Sequence, residues 1–336
     1  MFKSLYLKEY GGVKKCEKPL EFKKFTVLIG PNNSAKTTVL TALFHFPIPK
    51  WVWGGFPSIL LKDKPVFIQE YLNRPHRSLI YRYSGQATIE ADLEQDKLKI
   101  LKIRRFKIII NEEGERKLFY MSTSSHWEFI GYGNLLPLFG ESEPLKVMSN
   151  TLLIPNSDLF IRDLENALIK NWTLVEKTRA HASLIRDLVR KGIVDDRFTE
   201  VNVRFDKLVV RKELPGDDVA YINLTDLGDG LKRFLITGLW LETLKPKVVL
   251  WDDLEASAHP SLVSHIIKWL ASKDWQVIIT THSIDVLYEL TQVEPEDTII
   301  LSLRKTWNDI LKYKVYTLDD LKKMFDSGQD IRKILV

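Results

Sequence analysis

Residues 30–38 read Gly30-Pro31-Asn32-Asn33-Ser34-Ala35-Lys36-Thr37-Thr38. A glycine, four residues, a small residue, then lysine and a hydroxyl side chain is the spacing of a loop that surrounds a polyphosphate with backbone N–H groups. Lys36 is placed to reach the β- and γ-phosphates, and the Thr37 hydroxyl to hold Mg²⁺. The pattern has one departure: Ala35 stands where a second glycine belongs. Two later segments supply the rest of the chemistry. Lys247-Val248-Val249-Leu250-Trp251-Asp252-Asp253 is an apolar run ending in two carboxylates. Asp252 fits a ligand of the Mg²⁺ shell, and Asp253 fits a group that orients or deprotonates an attacking water. Trp275-Gln276-Val277-Ile278-Ile279-Thr280-Thr281-His282-Ser283 is a second apolar run ending at a histidine. An imidazole there can hydrogen-bond a γ-phosphate and sense its loss. Alone, Asp253 reads equally well as a helix cap and His282 as a structural hydrogen-bonding residue. Their order after the lysine loop is what gives them weight.

The elements that must position these groups are legible as patterns. Phe25–Ile29 is an apolar strand leading into the loop, and Thr38–Phe44 is the helix that follows it. Pro47 and Pro49 stop that helix. Residues 51–76 read as an irregular loop. Its aromatic group, Trp51, Val52, Trp53 and Phe56, is expected to fold over the core rather than to contact nucleic acid or a partner. Residues 79–83, 87–93, 98–105, 107–111 and 117–121 alternate as short antiparallel strands, with a turn at 111–115. Leu152-Leu153-Ile154-Pro155 is a short apolar strand, and 158–192 carries helical spacing broken at Gly192. Residues 201–211 and 219–224 read as strands around a turn at 215–218. Gly228-Asp229-Gly230 opens a long apolar helix from Leu231 to Leu244. Its first amides can bind an anion, although by itself the segment is an ordinary loop before a helix. From Lys247 the order strand–helix–strand–helix implies a parallel sheet.

Composition narrows the class. The chain has 336 residues, is 45% hydrophobic and 11% aromatic, and carries a formal charge of +5, so it can bury a large core. That charge permits nucleic-acid binding without arguing for it. The basic stretch Lys97–Lys107 alternates cations with aliphatics and reads as a strand with one face in the core. No apolar run reaches the roughly 18–20 residues of a membrane helix. The first residues form a strand pattern rather than a signal peptide. The single cysteine, Cys16, excludes an internal disulfide and a cysteine-rich zinc site. A soluble cytoplasmic protein, with no membrane partner, is expected.

Together these segments resemble the ATP-binding cassette class of P-loop ATPases in its non-transporter branch. That branch holds the structural-maintenance-of-chromosomes, RecF-like and overcoming-lysogenization-defect ATPases. The nearest likeness is to its short AAA-like members, which lack a coiled-coil arm. The likeness rests on Gly30–Thr37, on Trp251-Asp252-Asp253-Leu254-Glu255-Ala256-Ser257-Ala258-His259-Pro260 and on the Thr-Thr pair before His282. It also rests on a signature at Gly228-Asp229-Gly230 and on the ending Ser327-Gly328-Gln329-Asp330-Ile331-Arg332.

The resemblance implies an α/β fold of the ABC-ATPase type: a mixed sheet with an antiparallel β subdomain and a helical lobe. Residues 1–150 and 246–336 would form the nucleotide-binding lobe, and 151–245 the helical lobe with the signature. It implies ATP with Mg²⁺ as cofactors. Gly30, Pro31, Asn32, Asn33, Ser34, Ala35, Lys36, Thr37 and Thr38 would bind the nucleotide, with Gly228, Asp229 and Gly230 capping it from a second subunit. Thr37 and Asp252 would hold the metal, and Lys36, Asp253 and His282 would serve catalysis. The implied activity is ATP hydrolysis coupled to homodimerisation and to work on DNA or a partner protein in repair or defence.

A nuclease or effector would be a separate chain, because only about fifty residues follow His282. Three departures from the family pattern stand out. Ala35 adds a methyl beside the phosphate, Asp253 replaces a glutamate, and Leu254 and Ala258 replace a proline and a leucine. The first two motivate the alternative of a slow or non-hydrolysing ATP-bound switch acting as a scaffold. Gln69 and Gln86 are candidates, by order alone, for the family's Q-loop glutamine. A transporter subunit is disfavoured, because Leu227–Leu231 does not spell the transport signature.

Overall fold

The structure is a computed structural model, and it describes residues 1–47, 61–97, 100–121, 126–131, 144–194 and 197–333. The aromatic group at Trp51, Val52, Trp53 and Phe56 lies outside these residues. The chain opens with the antiparallel pair β1 (Phe2–Tyr10) and β2 (Val13–Cys16), adds the short β3 (Leu20–Glu21) beside β1, and enters β4 (Phe25–Ile29). All five residues of β4 are buried. A continuous apolar run is what a strand covered on both faces requires, and fully burying each such side chain contributes on the order of 1.5–3 kcal/mol.

Helix α1 (Lys36–Phe44) follows the loop, and α2 (Lys64–Tyr71) occupies part of the region expected to be irregular. Strands β5 (Gln86–Lys97), β6 (Ile100–Asn111), β7 (Arg116–Met121) and β8 (Trp127–Phe129) form an antiparallel meander on β1. The segments expected at 98–105 and 107–111 are therefore one strand.

After α3 (Pro144–Ser149), β9 (Thr151–Ile154) runs into a helical region: α4 (Asp158–Lys170), α5 (Trp172–Thr178) and α6 (Ala180–Arg190). A three-stranded sheet follows: β10 (Phe198–Arg204), β11 (Lys207–Glu213) and β12 (Val219–Asn223). The single strand expected at 201–211 is a hairpin. Phe205 and Asp206 turn its tip at φ 49° and 55°, in the left-handed region, without the glycine that would have signalled the turn.

Helix α7 (Asp229–Leu244) then packs against α4 and α6. Its C-terminus leads back through β13 (Val248–Trp251), α8 (Pro260–Ala271), β14 (Gln276–Thr280), α9 (Ile284–Val293), the hairpin β15 (Thr298–Lys305) and β16 (Ile310–Tyr316), and α10 (Leu318–Asp326).

The large sheet runs β8-β7-β6-β5-β1-β2-β16-β15-β4-β14-β13-β9, with β3 paired to β1. The stretch β15-β4-β14-β13-β9 is parallel throughout, and β5 to β8 with β1 are antiparallel. The mixed sheet with an antiparallel part and a helical part matches the architecture expected. Among the described residues no helix is long and apolar enough to cross a membrane.

The strands that matter for chemistry are locked from below. Gln276, at the foot of β14 and 1% exposed, accepts from Phe2 N at 2.6 Å and donates to Phe2 O at 2.8 Å and Lys23 O at 3.0 Å. One amide thus ties β1 and the entry of β4 to β14. Gln276→Ala leaves the buried main-chain groups of Phe2 unpaired. It is expected to cost about 3 kcal/mol, measured as a lower urea midpoint with an unchanged m-value.

Candidate functional site

Strands β4, β14 and β13 are adjacent and parallel, so their carboxyl ends open on one edge of the sheet, where an α/β fold binds ligands. The loop after β4 begins at Gly30, at φ 145°. A Cβ there would stand 2.3 Å from Leu303 O and 2.7 Å from Ser34 Oγ, so only glycine fits. Pro31, Asn32 and Asn33 are exposed, and Asn33 turns through φ 64°. Ser34 is buried, and its Oγ has no hydrogen-bond partner among the described residues. Ala35 caps α1 in the left-handed conformation, φ 78° and ψ 17°. The backbone thus takes the shape a glycine would give it.

Lys36 folds back over the loop, donating to Gly30 O at 2.8 Å and Pro31 O at 3.2 Å. Burial pushes its pKa down, while the carboxylates of Asp253, Asp252 and Glu255 oppose that shift. Thr38 Oγ1 accepts from Arg74 Nη1 at 3.2 Å.

Asp252 sits at the centre. Thr37 Oγ1 lies 3.2 Å from its Oδ1 and 3.0 Å from its Oδ2, and Thr280 Oγ1 donates to Oδ1 at 2.7 Å. Thr280 Oγ1 also accepts from Asp253 N at 2.8 Å. The end of β14 therefore fixes both aspartates. Burial raises the Asp252 pKa, the Thr280 hydrogen bond opposes this, and the neighbouring Asp253 charge adds to it.

Asp253 has φ 49°, which swings its carboxylate off the strand. Its Oδ2 accepts from Asn156 Nδ2 at 3.3 Å, and its Oδ1 lies 3.9 Å from His282 Nε2. The His282 side chain is 44% exposed, open to a ligand above the edge.

Lys36, Thr37, Asp252, Asp253 and His282 are thus brought together. Gly228-Asp229-Gly230 is placed differently. Gly230 packs against the loop after the carboxylates, where a Cβ would stand 2.3 Å from Ser257 O. Gly228 and Asp229 are exposed at the start of α7. Gln69 is exposed on α2, and Gln86 is exposed where β5 begins opposite Asn111.

The donor set suits a magnesium polyphosphate. The 3.0 Å between Thr37 Oγ1 and Asp252 Oδ2 matches two neighbouring corners of a Mg²⁺ octahedron, about 2.9–3.0 Å for bonds of 2.0–2.1 Å. Among the described residues no trio of His, Cys, Asp or Glu forms a protein-only cage. Phosphate and water would complete such a shell. The orphaned Ser34 hydroxyl and the Lys36 ammonium both lie on the loop that would carry the phosphates.

Several members of the site carry little local signal. Arg74 and Asn156 belong to no spacing pattern. Thr280, Glu255 and Arg332 stand inside recognisable segments, but their partners are set by the sheet.

Because burial raises Asp252, the folded state holds that proton more tightly than the unfolded chain. Its contribution to stability is greatest below the unfolded carboxyl value of about 3.9. That contribution falls as pH rises through the raised folded value. Asp252→Asn should therefore melt higher than the parent at pH 7 and lose part of the acid-side pH dependence of Tm, read by calorimetry between pH 3 and 8.

The family model described as "AAA domain, putative AbiEii toxin, Type IV TA system" matches residues 25–288. A structure of the SmcHead bound to the C-winged helix domain of ScpA superposes with TM-score 0.58 at 14% identity, covering 96% of this chain and 99% of that one. The SMC head domain from Thermotoga maritima gives 0.54 at 13%, covering 94% and 99%. The Smc head domain with an extended coiled coil, bound to the C-terminal domain of ScpA and derived from Pyrococcus furiosus, gives 0.54 at 13%, covering 97% and 99%. At these identities the likeness is one of fold, and the fold is that of the P-loop ABC-type ATPases. No curated protein matches the chain.

Proposed function

The chain belongs to this AAA-domain family, and from that premise we propose that it binds Mg-ATP on the edge formed by β4, β14 and β13 and hydrolyses it. One observation carries the reading: the Thr37 hydroxyl and the buried Asp252 carboxylate, 215 residues apart in sequence, meet at 3.0 Å beside the lysine loop. Bound Mg²⁺ would neutralise phosphate charge and order the phosphate tail. The chain's own groups do the rest. The loop amides and Lys36 bind and orient the phosphates. Asp253, held by Asn156, orients a water. His282 donates to the terminal phosphate and withdraws support when it leaves.

The Gly228 and Asp229 amides are exposed at the start of α7. They suit the γ-phosphate of a second copy, so ATP would join two protomers and hydrolysis would part them. The work coupled to this cycle is on DNA or a partner protein in repair or defence. The toxin and Type IV TA system in the family's description sit with the defence reading.

A second reading is a slow ATP-bound switch. It is favoured by Ala35 in the left-handed region and by the short Asp253 side chain, already engaged by Asn156. One methylene less displaces the water, and misplacement of about 1 Å can cost on the order of a hundredfold.

Lys36→Ala should abolish binding of fluorescent ATP and ATP-driven dimerisation, read by titration and light scattering. Equal affinity would end the nucleotide reading. Steady phosphate release above about 0.1 s⁻¹ excludes the switch, and a sharp rise in turnover in Asp253→Glu supports it.

A further inference from the structure

His282 reaches the edge of the site with an exposed imidazole whose Nε2 lies 3.9 Å from Asp253 Oδ1. Such a side chain gets its position from its backbone. The last sheet bond before it is Thr281 N to Leu28 O, and α9 begins only at Ile284. Between these, both main-chain polar groups of His282 are held by charged side chains from distant segments. The Glu255 Oε1 carboxylate oxygen, from the turn after the paired aspartates, accepts from His282 N at 2.7 Å and Ser283 N at 3.0 Å. Arg332, in the C-terminal segment, donates from Nη1 to His282 O at 2.9 Å. The rest of its fork is fixed by Asp330, with contacts at 2.7, 2.9 and 3.2 Å. Glu255 Oε2 is buried, with no hydrogen-bond partner among the described residues. The half-buried carboxylate is kept in place by two charge-assisted bonds at the N-terminus of α9.

We propose that Glu255 and Arg332 are positioning residues that clamp the backbone of His282 from two sides, linking the aspartate turn and the C-terminal segment to the group that reads the terminal phosphate. This rests on the nucleotide reading above. Glu255 is 27 residues away from His282 and Arg332 is 50. A shift of either segment therefore moves the imidazole without touching the phosphate loop. Neither side chain need contact ATP. The clamp acts on the chemical step more than on binding, because Gly30–Thr38 holds the phosphates independently.

The test has two arms, both on the full chain. In hydrogen exchange without nucleotide, Glu255→Ala and Arg332→Ala should speed exchange at His282 and Ser283 while β14 stays protected. Glu255→Gln keeps an acceptor oxygen and should exchange nearly as the parent does. In single-turnover hydrolysis, Glu255→Ala and Arg332→Ala should slow the chemical step about tenfold with ATP affinity within about twofold, and Glu255→Gln should restore most of the rate. In a His282→Ala background the Arg332→Ala loss should vanish, as for residues acting through one another. Unchanged exchange in both alanine variants overturns the clamp. So does an Arg332→Ala loss of equal size with and without His282, or a loss in affinity rather than rate. A parent protein that binds no ATP overturns the nucleotide reading instead, and the exchange arm still decides whether the clamp exists.

Discussion

One buried carboxylate organises the edge of this sheet. Asp252 receives hydroxyls from Thr37, at the start of α1, and from Thr280, at the end of β14, while itself ending β13. Three segments far apart in sequence are brought to within hydrogen-bond reach of one residue. The arrangement works against stability, since burial favours the protonated acid. The carboxylate is met by two hydroxyls, with the positive charges of Arg74 and Lys36 nearby. Lys36 in turn is held by the loop carbonyls of Gly30 and Pro31.

The loop bears a second cost. A left-handed alanine is disfavoured by roughly 1–2 kcal/mol, yet Ala35 adopts φ 78°. The conformation is required by the path from Gly30, wedged against Leu303 O, into α1. The two positions differ in what they tolerate. At Gly30 a methyl would overlap main-chain atoms. At Ala35 it fits in space and is penalised only by backbone preference. That difference explains how the chain can lack the second glycine and retain the loop shape.

Around this centre the surrounding structure limits motion. Gln276 fixes the base of β14 to β1 and to the entry of β4, so the upper ends of the strands share one frame. Asp253 is turned outward by its backbone and oriented by Asn156, and the His282 backbone is held between Glu255 and Arg332. The groups that would touch a nucleotide range from the buried Asp252 to the exposed His282, and those that aim them are set by the sheet's connectivity.

The local patterns were readable because they depend on near neighbours. The lysine loop needs a strand before it and a helix after it, and both follow from apolar spacing at 25–29 and 38–44. The apolar runs ending at Asp252 and at His282 likewise announce buried parallel strands. Where local signals were weak, the pattern misled. Phe205 and Asp206 turn a hairpin without glycine, a single β6 looked like two strands, and α2 arose where no helical period stood out. Residue identity and spacing therefore determined that a lysine-bearing loop between strand and helix, paired carboxylates and a strand-end histidine exist. Only the tertiary structure decided that β14 lies between β4 and β13, and hence that Thr280 spans both aspartates, that Arg74, Asn156 and Arg332 enter the site, and that Gly230 packs against the loop after the carboxylates. The physical reason is that strand order is set by packing between segments hundreds of residues apart, which no periodicity within a segment encodes.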